Sequence, residues 1–198
     1  AVEKANAGAS RMLGYIRFRQ GKNEEALQLL GTAIDSDPDP AAALVNYAIV
    51  LQATERFADA LESFDKALKI KPDFATALNN RGNVLRKMRR FEEALADFDK
   101  AIAIVPDNAA THNNRGNTLS DLERFEEALA SFDRAIAIKP DFAVALNNRG
   151  NALKDLGRFE DAMASYARAL SLNPNYADVF HNRGILLAEK KFWSDALA

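Results

Sequence analysis

The chain has 198 residues, of which 48% are hydrophobic and 27% charged, and its net charge is −2. A charge this close to balance gives no reason to expect binding to nucleic acid or to an anionic membrane. The absence of cysteine excludes disulfides, zinc fingers, iron–sulfur clusters and a cysteine nucleophile.

The start of the chain carries no sign of export. It opens on Ala1 rather than on Met, which indicates a processed chain or an excised fragment. No basic segment followed by an apolar one resembles a signal peptide, and no apolar run approaches the roughly 20 residues that cross a bilayer. We therefore expect a soluble protein of a reducing compartment, the cytoplasm, with no insertion into membranes.

Proline recurs at a constant step of 34 residues, which marks internal repetition. Five of the six prolines follow this step, namely Pro38, Pro72, Pro106, Pro140 and Pro174. The stretch Asn-Asn-Arg-Gly-Asn also occurs three times, starting at Asn79, Asn113 and Asn147. Six repeats follow in chain order, at about residues 7–40, 41–74, 75–108, 109–142, 143–176 and, incomplete, 177–198. They predict a single repeat domain over residues 1–198.

Each repeat carries two apolar patterns of helical period. In the third repeat, Leu78, Leu85 and Met88 lie on one face of a first helix. The stripe of the second helix consists of Phe91, Ala94, Leu95, Phe98, Ala101 and Ile102. Arg89 and Arg90 form a short polar turn between the two, and Pro106 ends the repeat because proline cannot continue a helix. The sequence thus predicts an all-α chain of helix–turn–helix repeats.

Small residues occupy one place in every first helix. They are Gly14, Ala48, Gly82, Gly116, Gly150 and Gly184. Because glycine inside a helix costs about 1 kcal/mol relative to alanine, this repetition needs a structural reason. We infer backbone-to-backbone contact between the paired helices at this place. The aromatic side chains expected to fill the space alongside are Phe64, Phe98, Phe132 and Tyr166.

A 34-residue helix–turn–helix with glycine, alanine, an aromatic residue, alanine and proline at fixed offsets resembles the tetratricopeptide repeat (TPR). In the third repeat these residues are Gly82, Ala94, Phe98, Ala101 and Pro106. The resemblance extends over essentially the whole chain. It implies a right-handed superhelical solenoid whose first helices line a concave groove, and a scaffold that binds other proteins. The first repeat carries Asn23 and Leu30 where others have Phe, so we expect a degenerate, capping repeat there.

Neither a metal site nor a catalytic site is evident in the sequence. The two histidines, His112 and His181, lie in different repeats and at different offsets. Carboxylates such as Glu92 and Glu93 fall at exposed helix offsets, whereas acid–base catalysis needs a positioned pair in a pocket. A basic cluster consists of Arg86, Lys87, Arg89 and Arg90. No aromatic platform for bases accompanies it, so we interpret it as a solvated turn. We expect no enzyme activity, no cofactor and no nucleic-acid partner.

Asparagine occupies one place in the first helix of five repeats. We call this column the asparagine ladder, and it consists of Asn46, Asn80, Asn114, Asn148 and Asn182. Asparagine is a poor helix former, so its recurrence inside helices indicates a role in the concave groove. Inheritance through duplication, or local hydrogen bonding, is the alternative. Six further asparagines widen the polar strip in the middle repeats, namely Asn79, Asn83, Asn113, Asn117, Asn147 and Asn151.

The ladder suggests a mechanism of recognition. A carboxamide offers both a donor and an acceptor, so it pairs with a peptide N–H and C=O whatever the side chain. Neighbouring helices pack about 8–10 Å apart, and an extended peptide advances about 3.3 Å per residue. Each ladder asparagine would then engage roughly every third residue of a bound strand. We expect an extended peptide or protein segment as the partner, bound with little sequence preference.

A regular ladder of this kind is similar to the repeat arm of O-linked N-acetylglucosamine transferases and of bacterial proteins like them. That resemblance implies a second interpretation, a substrate-guiding arm that works only within a longer chain carrying a glycosyltransferase domain. A carboxylate clamp of the Hsp70/Hsp90 type needs lysine or arginine at set groove offsets. The fifth place of successive repeats instead holds Arg11, Val45, Asn79, Asn113, Asn147 and His181. The sequence does not favour the clamp.

Arginine occupies a first-helix place where TPRs usually carry an aliphatic residue. The arginines are Arg81, Arg115, Arg149 and Arg183, and the aspartates sixteen residues before the first three are Asp65, Asp99 and Asp133. We predict ion pairs between neighbouring repeats, each contributing about 0–1 kcal/mol where partly exposed. Arg183 is an exception, because Ala167 precedes it at that spacing.

The last repeat is predicted to stop within its second helix, at Ala196–Ala198. Solenoids need a polar cap, yet apolar side chains would lie at this end. They are Phe180, Leu187, Phe192 and Trp193. We expect either that the natural chain continues or that homo-oligomers form through the uncapped ends. A self-assembling structural scaffold is therefore a third interpretation.

Overall fold

The computed structural model describes the backbone of residues 2–196 and the side chains of residues 7–188. Over this part of the chain it contains eleven α-helices and no strand. The helices are α1 (Val2–Arg19), α2 (Asn23–Ser36), α3 (Ala41–Ala53), α4 (Phe57–Ile70), α5 (Ala75–Lys87), α6 (Phe91–Ile104), α7 (Ala109–Asp121), α8 (Phe125–Ile138), α9 (Ala143–Asp155), α10 (Phe159–Leu172) and α11 (Ala177–Ala196). The predicted all-α class is confirmed. None of the described helices is both long enough and apolar enough to cross a membrane.

The helices form two compact units, one through Val105 and one from Pro106 onward. In the N-terminal unit, α1 pairs with α2, α3 with α4 and α5 with α6, while α1 contacts α3 and α3 contacts α5. In the C-terminal unit, α7 pairs with α8 and α9 with α10, while α7 contacts α9 and α9 contacts α11. Within each unit, the first helices of successive repeats therefore lie side by side, and each unit is a stack of helix pairs.

One residue in the left-handed region makes the turn within each complete pair. These residues are Gly21, Glu55, Arg89, Glu123 and Gly157, with φ between 58° and 76°. In the third repeat, the N–H of Arg89 donates to the carbonyl of Arg86, and that of Arg90 to the carbonyl of Leu85, both at 2.9 Å. This is the Schellman arrangement, which satisfies the last carbonyl groups of the first helix. The polar turn predicted at Arg89 and Arg90 is confirmed.

Buried rings fill the space above the glycines of the first helices. The aromatic residues Phe64, Phe98, Phe132 and Tyr166 are all fully buried. A Cβ atom built on Gly116 would lie only 2.6 Å from Cε1 of Phe132. The close approach is therefore between a glycine and a ring in the paired helix, which corrects the expectation of backbone-to-backbone contact at this place. A backbone atom, the carbonyl oxygen of Ala26, comes near only in addition to a side chain, at Gly14.

The last helix differs from the predicted turn and second helix. The first helices α3, α5, α7 and α9 end after 13 residues, whereas α11 continues without a break for 20 residues. The stretch from Leu186 to Lys191 consists of leucine, alanine, glutamate and lysine, which are strong helix formers. Phe180 and Leu187 are exposed, as predicted. The side chains of Phe192 and Trp193 lie outside the described residues.

Candidate functional site

The asparagine ladder places one carboxamide on each first helix from α3 to α11. The N-terminal unit holds Asn46 and Asn80, and the C-terminal unit holds Asn114, Asn148 and Asn182. All five side chains are half-buried. Each therefore keeps part of its surface open to a partner while the rest packs against the fold.

The six flanking asparagines divide by burial and by hydrogen bonding. Asn113 and Asn147 are only 5% and 6% exposed, so they offer little surface to a ligand. Asn151 is half-buried and accepts a hydrogen bond from the Tyr166 hydroxyl at 2.7 Å. Such a buried hydroxyl needs a partner. Asn79, Asn83 and Asn117 are half-buried.

Carboxamides link neighbouring repeats in the C-terminal unit. Nδ2 of Asn148 donates to Oδ1 of Asn113, and Nδ2 of Asn182 donates to Oδ1 of Asn147, both at 3.0 Å. Asn147 in turn donates to Oδ1 of Asn148 at 3.4 Å. The result is a directed chain of amides in which Asn148 and Asn182 each donate to the preceding repeat. The sequence signal for it is the Asn-Asn pair that recurs in successive repeats.

The described residues of the N-terminal unit show no such link, and the sequence shows why. The residue of the second repeat that corresponds to Asn113 is Val45, which has no acceptor. The ladder residue of the next repeat, Asn80, donates instead to the carbonyl oxygen of Thr76 in its own helix at 2.9 Å. The alternative of local hydrogen bonding is thus realised at this ladder position. Each of these bonds uses one amide hydrogen and leaves the second available.

The arginine column forms the predicted ion pairs wherever the structure describes them within one unit. Arg81 pairs with Asp65, and Nε of Arg149 lies 2.6 Å from Oδ1 of Asp133. Arg183, which follows Ala167 at that spacing, forms no ion pair with any residue between 7 and 188. The pair of Asp99 with Arg115 stays a prediction.

Three of the arginines, Arg81, Arg115 and Arg149, also have a partner sixteen residues later, in the second helix of their own repeat. Arg115 donates to the hydroxyl of Ser131 at 2.8 Å, and Arg149 donates to that of Ser165 at 2.6 Å. In the third repeat this partner is Asp97, which accepts two bonds from Arg81, each at 2.7 Å. Asp97 is only 2% exposed. Its hydrogen bonds raise the pKa of Arg81 above the usual value, against the opposing effect of burial.

The ion pair of Arg149 with exposed Asp133 is expected to contribute little to the free energy of unfolding. Asp133 is half exposed, so water and salt screen its attraction to Arg149. A double-mutant cycle with Asp133→Ala and Arg149→Ala, followed by urea unfolding, should give a coupling of about 1 kcal/mol or less. A coupling above about 2 kcal/mol would show that the pair stabilises the stack rather than only fixing its register.

The histidines and the basic cluster have local structural contacts. Nε2 of buried His112 donates to the carbonyl oxygen of Pro106 at 2.9 Å, while His181 is exposed. In the basic cluster, Arg90 pairs with Glu93 at 2.7 Å, and Arg89 lies 5.8 Å from the centre of the Phe91 ring. Among the described residues, no group of three or more metal-ligating side chains comes together.

Comparisons with known proteins agree with this geometry. Models of the tetratricopeptide repeat match residues 11–75 and 73–141, and a further TPR repeat model matches residues 150–191. No curated protein sequence matches the chain.

Solved structures are similar at low sequence identity. MamA of Desulfovibrio magneticus RS-1 is 22% identical over 87% of this chain and 97% of its own, with a TM-score of 0.76. PilF of Pseudomonas aeruginosa is 24% identical over 95% and 90%, with a TM-score of 0.78. YrrB, described as a TPR protein with an unusual peptide-binding site, is 21% identical over 88% and 90%, with a TM-score of 0.72. At these identities the likeness shows the fold alone. The three repeat models, which together match most of the chain, show that it belongs to the tetratricopeptide repeat family.

Proposed function

We propose that the chain is a non-catalytic scaffold that binds an extended segment of a protein partner along the carboxamides of its first helices. The observation that carries the proposal is the half-buried state of all five ladder asparagines. A side chain in that state is fixed by the fold and still reaches a ligand. Fixed polar groups lose less conformational entropy on binding than free surface side chains do.

The hydrogen bonds of the C-terminal unit support this role. The bond from Asn148 to Asn113 fixes which way the ladder carboxamide points, and the second amide hydrogen of Asn148 is left for a peptide carbonyl. The side chain of Asn117 makes no hydrogen bond with the described residues, so both of its polar groups are available. These two residues are the strongest candidates for direct contacts with a peptide backbone.

In this proposal, the buried residues Asn113 and Asn147 act indirectly. They accept the bonds that hold Asn148 and Asn182 in place, and so they orient the contact groups without touching the ligand. YrrB, whose fold is similar, is described as having a peptide-binding site, which is consistent with a peptide as the class of partner here.

Two other functions share the same scaffold. A substrate-guiding arm of a glycosyltransferase would use the same carboxamides, and the difference lies in a catalytic domain elsewhere in the protein. Self-assembly is favoured by a separate observation, the exposed apolar side chains Phe180 and Leu187 on α11. That surface does not involve the ladder, so the two activities separate by mutation.

The test uses peptides selected by the protein itself. A phage library of random unstructured peptides is panned on the wild-type chain, and dissociation constants are measured for several selected sequences. The variant Asn117→Ala/Asn148→Ala is expected to bind all of them at least about tenfold more weakly, since each lost amide contact costs about 0.5–1.5 kcal/mol. The loss should be similar between peptides, because the contacts are to the backbone.

The matched control is Asn175→Ala, which removes an exposed loop asparagine whose side chain makes no hydrogen bond with the described residues. Circular dichroism verifies that both variants fold. Unchanged affinity in the folded double variant would refute the proposal. If binding survives but sedimentation shows association that depends on α11, self-assembly becomes the better account.

A further inference from the structure

The first repeat replaces the carboxamides of the strip with apolar side chains. Met12 stands at the ladder place of α1, and Tyr15 stands where Asn83, Asn117 and Asn151 lie in later repeats. Met12 is 61% exposed and Tyr15 is 41% exposed. The place of Met12 is polar in five other helices and that of Tyr15 in three. Large apolar side chains this exposed at such places point to a contact with something apolar.

These side chains line a cavity of about 220 Å³. Its walls are Arg11, Met12, Tyr15 and the ladder residue Asn46 of the next repeat. Pockets for drug-sized ligands measure about 300–1,000 Å³, so this cavity suits a single side chain. Asn46 belongs to the strip to which we assign backbone recognition, so a peptide held there would bring its next side chains to Met12 and Tyr15.

The charge around the cavity has one sign. Arg19 donates to the hydroxyl of Tyr15 at 3.3 Å and so holds the ring in place. Neither Arg11 nor Arg19 pairs with a carboxylate among residues 7–188, whereas Arg17, on another face of α1, pairs with Glu25 at 3.1 Å. Helix α3, which supplies Asn46, has no charged residue at all. Two guanidinium groups that no carboxylate of residues 7–188 neutralises therefore flank an apolar cavity.

We propose that the first repeat forms a subsite for a bulky apolar side chain with carboxylates beside it in the bound segment. This rests on the proposed function and adds a sequence preference to it. The apolar side chain enters between Met12 and Tyr15, and the neighbouring carboxylates face Arg11 and Arg19. The ladder contacts the backbone of the bound segment, and this subsite determines which stretch of the partner binds at the first repeat.

The test compares three labelled peptides of about a dozen residues with the same Gly/Ser background. Their centres read Asp-Phe-Asp, Asp-Ser-Asp and Lys-Phe-Lys, and affinity is measured by fluorescence anisotropy at low salt. The wild-type chain should bind the first roughly tenfold more tightly than either of the others. Met12→Asn, which installs the residue of the other repeats, should abolish the preference for Phe over Ser. Arg11→Gln/Arg19→Gln should abolish the preference for Asp over Lys.

Met88→Asn is the matched control, because Met88 is also exposed but lies at the end of α5; it should keep both preferences. Retention of the Phe preference in Met12→Asn overturns the inference. The inference is also overturned if the wild-type chain binds library-selected peptides but none of these three. That outcome would leave the proposed function intact. If Met12→Asn instead removes self-association and leaves peptide binding unchanged, the cavity is an interface between copies and the inference is wrong.

Discussion

Arg81→Ala is expected to lower the free energy of unfolding by about 3 kcal/mol, the lower end of the range for removing one partner of a buried ion pair. The reason is the residue left behind. Asp97 is almost fully buried and takes two short hydrogen bonds from the Arg81 guanidinium. Without them a carboxylate stays in the interior with its main partner gone. The lower end applies because a cavity of about 360 Å³ adjoins the pair and lets water approach.

The equivalent change two repeats later provides a matched comparison. Arg149→Ala leaves Ser165, whose hydroxyl also donates to the carbonyl oxygen of Asp161 at 3.0 Å, so no buried charge is left without a partner. Asp133, its other partner, is half exposed. The expected loss is about 1 kcal/mol or less. Both variants are compared with the wild type by urea unfolding, monitored by circular dichroism.

A rescue variant separates the buried charge from lost packing. Arg81→Ala/Asp97→Ser gives the third repeat the serine that other repeats carry at this place, as Ser63, Ser131 and Ser165 do. It should recover most of the stability lost in Arg81→Ala, because the carboxylate is gone. Equal losses in Arg81→Ala and Arg149→Ala, or a double variant no more stable than the single one, would show that Asp97 is not the cause.

The fold was predictable because the sequence pattern that determines it is periodic. A 34-residue step, small residues at one place and aromatic residues at another determine where each helix pair begins and ends. The structure departs from this prediction where the pattern is interrupted. After Leu186 the last repeat carries strong helix formers, and α11 continues where a turn was expected. The sequence predicted that the Phe132 ring lies beside Gly116. It could not predict which atoms come into contact, because that depends on three-dimensional distances.

The presence of one ladder asparagine on each first helix from α3 to α11 was predictable, and its hydrogen bonding was not; that these residues bind a partner stays a prediction. Sequence spacing put the ladder on one face of the first helices, and it indicated the ion pairs of Arg81 and Arg149 with the preceding repeat. It gave no sign that Asp97 bonds Arg81, because the arginine of a repeat reaches both neighbouring second helices. Nor did it separate Asn147, which is buried, from the adjacent Asn148, which is half-buried. Adjacent residues on a helix differ in direction by about 100°, but the sequence does not show which of the two directions leads into the fold.

Gly116→Ala is expected to destabilise the chain by about 2 kcal/mol, although alanine is the better helix former. The added methyl group would lie 2.6 Å from Cε1 of Phe132, and that ring is fully buried between the helices. A Cβ atom has no rotamer to change, so the ring or the helix must shift. Overpacking of this kind costs about 1–3 kcal/mol. We expect a cost near the upper end of that range, from which the gain in helix propensity of about 1 kcal/mol is subtracted.

Gly184→Ala should have the opposite effect, and the pair of variants isolates the cause. No atom of the described residues lies within 4 Å of a Cβ built on Gly184, so only helix propensity acts and the variant should gain up to about 1 kcal/mol. Melting temperatures should therefore move in opposite directions. Ala48 occupies the same place above Phe64 in the second repeat, and both side chains are fully buried. A helix pair can thus accommodate the methyl group by adjusting its spacing, which is why Gly116→Ala should weaken the stack without unfolding it. If Gly116→Ala raises the melting temperature as Gly184→Ala does, then the ring does not require glycine, and the recurrence of glycine at this place needs another explanation.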